Sequence, residues 1–147
     1  MATHAFAGPI DYAAFVLPRS ADADPILRSL LDRVDSGAIE LLDLEVLAAG
    51  EGGVAERQRL QVLRHDGGFD LSEFEGAESG LLDEDDLRAL GAELGPEELA
   101  LVIVYEDRSL APLAARVVEA GGRELWSGGV DPADLDPALT DIEGAQP

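Results

Sequence analysis

The 147-residue chain contains no cysteine, no lysine and no asparagine. Without cysteine, disulfides, thiolate chemistry, zinc-cysteine sites and cysteine-ligated iron–sulfur clusters are all excluded. Without lysine a Lys-bearing phosphate loop cannot be built, and no GxGxxG occurs either. Aromatic residues make up 5% of the chain, too few for an aromatic-lined ligand pocket to be expected. No run reaches the ~20 apolar residues that a spanning helix needs, and MATHAFAGPI has neither a basic region nor a long apolar core. The expected location is therefore the cytoplasm, with no membrane association.

Positive charge is also scarce. Ten basic residues, all Arg, stand against 31 Asp and Glu, for a formal net charge of -21. That field opposes nucleic-acid phosphates and anionic lipid surfaces. Acid-rich, Ala/Leu/Gly-rich and lysine-free, the composition suggests a high-GC bacterial genome or a salt-rich cytosol.

What is present is organised around Leu99 to Tyr105, LALVIVY, an unbroken apolar run of the kind expected of a strand covered on both faces. Tyr12 to Leu17, YAAFVL, reads as a second interior strand, stopped by Pro18. Asp24-Pro25 starts a helix, with Asp24 as cap and Pro at the first helical position. Ile26, Leu27, Leu30, Leu31 and Val34 form its apolar face and Gly37 its left-handed stop.

From Ile39 to Leu47 the period becomes two, with Leu42, Leu44 and Val46 on one face and Asp43 and Glu45 on the other. Arg57 to Leu63 is its expected hairpin partner across Gly50 to Gly53. A symmetric register sets Asp43 opposite Arg59 and Glu45 opposite Arg57, on a solvent face.

Between Asp66 and Glu98 lie twelve acids and one Arg. Phe69, Leu71 and Phe74 are the residues able to pin this segment. From Asp83 it reads as helical, with Asp83 to Asp86 at the positive end of the dipole and Leu87, Leu90 and Leu94 facing inward, up to Gly95-Pro96. A third helix is expected from Ser109, burying Leu110, Leu113, Val117 and Val118 and stopping at Gly121-Gly122. A last strand follows over Arg123 to Val130, carrying Trp126 either into the core or onto a sheet face as an interaction hot spot.

Two stretches share one plan: FVLPRSADADPILRSLLDRVDSGAIEL and IVYEDRSLAPLAARVVEAGGREL. Each runs from an apolar strand through Arg-Ser and an amphipathic helix to a glycine stop and Glu-Leu. Two interlocked strand-helix-strand units predict an α+β, ferredoxin-like sandwich in which the first strand of each unit is central. The hairpin adds an edge strand and the acidic helix is an insertion. The resulting organisation is an arm over residues 1–10, one domain over 11–130 with the acidic insertion at about 66–95, and a tail over 131–147.

The chain resembles an actinobacterial family of small proteins described only as a domain of unknown function. The residues that carry this are GPID at Gly8 to Asp11, LLDLEVL at Leu41 to Leu47, EGAESGLLDEDDL at Glu75 to Leu87, GPEELALVIVYED at Gly95 to Asp107 and EAGGRELWSGGV at Glu119 to Val130. More distantly it is similar to a bacterial family labelled as membrane proteins of unknown function, in which a Gly-rich apolar hairpin lies between the halves. Here the acidic segment from Asp66 to Glu78 takes that place. The resemblance implies the fold and brings no catalytic residues.

No catalytic constellation stands out. Ser127 in LWSGG lacks the preceding glycine of a nucleophile elbow. After Asp66 a calcium loop would need glycine where Leu71 stands. His4 and His65 form no spaced metal pair, so no metal and no cofactor is expected.

Two functional readings follow. In the first, the chain is a non-enzymatic regulatory or protein-interaction module. It forms a homodimer through the sheet face its helices leave open, offers Asp83, Glu84, Asp85 and Asp86 to a basic protein partner, and uses Trp126 as a contact. In the second, it is a small-molecule-binding domain or minor enzyme working on that open face or in a cleft near the end of the central strand. There Asp107 and Arg108 are the candidate polar contacts, or simply the turn into the next helix.

Overall fold

The computed structural model describes residues 6–63, 69–74, 76–78 and 80–129. Four strands, β1 (Ile10–Pro18), β2 (Ile39–Ala48), β3 (Glu56–Gln58) and β4 (Glu98–Asp107), form one antiparallel sheet in the order β1-β4-β2-β3. Three helices accompany it: α1 (Asp24–Asp35), α2 (Glu84–Gly91) and α3 (Ala111–Glu119). The class is α+β, as expected. The LALVIVY run lies in β4, between β1 and β2, which explains its lack of alternation.

β1 is not interior. It pairs with β4 along its whole length, Ile10 facing Glu106 and Pro18 facing Glu98, and is the edge of the sheet. The strand expected over Arg123 to Val130 does not form among the described residues 123–129, so nothing there covers that edge.

Helix α1 begins one residue earlier than its sequence suggests. Asp24 is its first residue and Ala23 its N-cap, which has no side chain able to cap; just ahead of it Asp22 Oδ1 accepts the Asp24 N–H at 3.1 Å. Gly37 at φ 79° ends the helix as expected. Leu27 and Leu30 reach the core on one side of the sheet, against Leu17, Leu44, Val46, Leu99 and Leu101. Phe69 and Phe74 join this core with ring centroids 5.9 Å apart, and Arg28 lies over the Phe69 ring, so the acidic segment is pinned where its aromatics predicted.

The β2–β3 hairpin is shorter and differently registered than expected. Leu47 faces Arg57, and the chain leaves the ladder after Gln58 to form a 3-10 turn over Leu60–Val62. A register irregularity between Leu41 and Asp43 inserts Leu42 as an extra residue. Ile39 and Leu41 thereby share the α1 face with Leu44, Val46 and Ala48. Asp43, Glu45 and Leu47 point to the opposite face.

That opposite face is not open. Helix α2 lies on it, with Leu82, Leu87, Leu90 and Leu94 against Leu47, Ala55, Ala100 and Val102. Its start is a capping box: Asp83 Oδ1 accepts the Asp86 N–H and Asp86 Oδ2 accepts the Asp83 N–H, both at 2.9 Å. The helix stops at Gly91, before Gly95-Pro96. A Cβ on Gly91 would stand 2.3 Å from the Gly53 carbonyl oxygen, so glycine is what permits this close approach. Ala55 N–H donates to the Leu87 carbonyl across the same contact, at 2.9 Å.

Helix α3 departs furthest from expectation. None of its residues is buried, and Leu110, Leu113, Val117 and Val118 are all exposed rather than in the core. The spacing of an amphipathic helix is present, but its apolar stripe is not buried against the described chain. The tail and both Asp-Pro steps lie outside the described residues.

Candidate interaction surface

The β1 side of the molecule carries three features side by side. The first is the β1 edge, unpaired among the described residues, with Ile10, Tyr12, Phe15 and Val16 exposed, Tyr12 to 76%. Exposed apolar edge strands are templates for pairing, and natural proteins ordinarily cover or charge them.

The second is a groove of 750 Å³ on the α1 face. Ala13, Phe15 and Leu17 of β1 and Leu101, Ile103 and Tyr105 of β4 make its floor, and Pro25, Ile26, Ser29 and Arg33 of α1 make its wall. The floor follows from strand alternation: residues 13, 15 and 17 share a face with their β4 partners 103, 101 and 99. The groove stays open because α1 packs over β2 and the inner part of β4, and no second helix of the described chain lies beside it.

The third is a smaller groove of 450 Å³ on the other face, where Ile10, Tyr12 and Ala14 meet Leu81, Leu82, Leu90, Val102 and Val104. Helix α2 thus covers the β2 side of that face and leaves the β1 side apolar and accessible.

Of the residues singled out from sequence, Asp86 borders the smaller groove; Asp83, Glu84, Asp85, Asp107, Arg108 and Trp126 line neither. Asp107 Oδ1 accepts the Ser109 N–H at 2.9 Å, and the Ser109 hydroxyl and amide hold the Asp107 carboxyl below its ordinary range. Arg108 is paired with Glu106, Nη1 to Oε1 at 3.0 Å, and its guanidinium lies over the Phe6 ring. Gly8 N–H donates to Glu106 Oε2 at 2.8 Å. That bond and Arg108 hold the Glu106 carboxyl low. The geometry is that of the turn into α3 and an anchor for the N-terminal arm. Arg108 also borders a 510 Å³ cleft with Glu40, Glu73 and Leu31.

Asp83 and Asp86 serve the α2 capping box, and Glu84 pairs with Arg88 at 2.8 Å one turn on. Asp85 completes the acidic first turn. No group of three or more His, Asp or Glu suited to a metal ion occurs among the described residues. His4 and His65 lie outside them. Trp126 is not in the core; it is 81% exposed on the segment after α3.

One polar cluster was not anticipated. Asp43 and Glu45, expected on a solvent face, are buried, Asp43 fully and Glu45 being 4% exposed. Arg57 reaches Glu45 diagonally across the hairpin, Nε to Oε1 at 2.6 Å, and its Nη2 donates to the Leu82 carbonyl at 2.5 Å. Burial, and then the hydrogen-bonded Asp43 carboxyl, raise the Glu45 pKa against the opposing pull of Arg57. The cluster ties the start of α2 to the sheet and opens onto neither of the β1-side grooves.

No helix of the described residues is long and apolar enough to cross a membrane. No protein-family model, curated protein or solved structure matches the chain.

Proposed function

We propose that the chain is a non-enzymatic protein-interaction module that self-associates through the β1 side of its sheet. The observation that carries this reading is an unpaired apolar edge strand flanked on both faces by apolar grooves. A contiguous exposed patch of this kind is a recognised mark of a protein contact.

The reading includes a ferredoxin-like plan. β1 and β2 are joined through α1 and both run antiparallel to β4, which lies between them. This is half of that plan, and membership of the actinobacterial family fits it. The acidic turn Asp83–Asp86 remains exposed for a basic partner in the cytoplasm, in addition to its capping role.

Sedimentation velocity across the micromolar range tests the proposal. A dimer that Phe15→Glu converts to monomer supports it. A monomer at all concentrations, together with a retained small-molecule mass in native mass spectrometry, favours the binding-domain reading instead.

A further inference from the structure

We infer that α3 of one molecule lies in the α1-side groove of a second copy, reciprocally, so that two chains complete each other's helix layer. This rests on the self-association proposed above and adds the occupant of the groove. The dimensions match: two strands ~4.8 Å apart make a floor about one helix wide, and helices pack 8–10 Å apart beside a neighbour such as α1. A helix laid there covers Phe15, 56% exposed, and Ile26, 40% exposed, together.

Helix α3 has the complementary stripe. Leu110, Leu113, Val117 and Val118 recur at helical spacing and are exposed on the single chain. Both ends of α3 are held on its own body. Before it, Asp107 caps the turn at Ser109 and Arg108 is paired with Glu106. After it, Ala7 N–H donates to Glu124 Oε1 at 3.1 Å, and the Ser127 hydroxyl donates to the Ala7 carbonyl. With its ends fixed and none of its residues lining its own chain's groove, α3 has the groove of another molecule as its seat.

Charge favours this occupant. Residues 109–123 carry two Arg and one Glu, net +1, so the other 132 residues carry -22. The segment that would enter the partner therefore carries a net charge opposite in sign to the acidic body it meets. The area suffices as well. Six large apolar residues per chain, Phe15, Ile26 and the four of α3, about half exposed at ~170 Å² each, bury roughly 500 Å² per chain, or about 1,000 Å² for the reciprocal pair before any polar rim is counted, which reaches the ~1,000 Å² a specific interface needs.

Because the chain has no cysteine, single introduced thiols report the contact without background. Phe15→Cys and Leu113→Cys proteins, mixed and oxidised, should give a disulfide-linked pair of chains that reduction releases. A one-chain product from the double variant Phe15→Cys/Leu113→Cys would mean that α3 folds back on its own body, and would overturn the inference. A dimer by sedimentation without the mixed cross-link overturns the inference and leaves self-association standing; a monomer throughout overturns both. Leu113→Glu, exposed on the single chain, should weaken dimerisation at least about tenfold with an unchanged circular dichroism spectrum. Unchanged dimerisation would contradict the assignment.

Discussion

Gly91→Ala separates what a helix prefers locally from what this fold requires. On propensity alone the substitution should stabilise α2 by about 1 kcal/mol. In place, the new Cβ would meet the Gly53 carbonyl oxygen at 2.3 Å and the Ala55 nitrogen at 2.7 Å, both backbone atoms of the hairpin. Neither can rotate away, so α2 must lift by about an ångström, the shortfall from ordinary contact. Lifting it loosens Leu87 and Leu90 from Leu47 and Val102, an overpacking cost of ~1–3 kcal/mol. It also stretches the Ala55 N–H bond to the Leu87 carbonyl, worth ~1 kcal/mol. The net expectation is a loss of about 1–3 kcal/mol, on the order of a 1 M fall in urea midpoint. Paired urea titrations of the two proteins measure it. An alanine variant equal to or more stable than wild type would show that α2 does not press on the hairpin.

Two further outcomes follow from the same face. Glu45 has a raised pKa in the fold, so its contribution to stability is present below its unfolded value and lost as pH rises through the folded one. Wild type should therefore lose stability relative to Glu45→Gln between mildly acidic and neutral pH, by denaturant titration at each pH; a difference that moves the other way refutes the burial argument. Asp83→Ala removes the N-cap acceptor of α2 and should cost ~1 kcal/mol, read as a lower melting temperature, whereas an unchanged value would mean the capping box contributes nothing.

Much of the fold was legible where the signal is local. The Pro25 start and Gly37 stop of α1, the Asp83 cap of α2 and the unbroken LALVIVY strand each follow from a few neighbouring residues. What depends on distant surfaces was not. YAAFVL reports apolar surroundings but not which molecule supplies them, so an edge strand reads as interior. The stripe on α3 likewise predicts burial in the core, yet Leu110, Leu113, Val117 and Val118 are exposed. Asp43 and Glu45 alternate as solvent residues do, yet both are buried, with Arg57 bridging Glu45 to the Leu82 carbonyl. The extra residue at Leu42 leaves no trace in composition or period.

The candidate surface was partly legible for the same reason. Self-association was anticipated, but through a sheet face that α2 in fact occupies on its β2 side. The β1-side groove was visible only as an excess of apolar residues in β1 and α3. Asp107 and Arg108 were conspicuous by position at the end of β4, and their hydrogen bonds give them to the turn and the arm.

The most direct test is sedimentation velocity on the full chain at micromolar concentration with increasing salt. Self-association between bodies of net charge -21 through apolar contacts should yield a species of twice 15.5 kDa, strengthening as salt screens the repulsion. A single 15.5 kDa species at every concentration and salt would contradict the account.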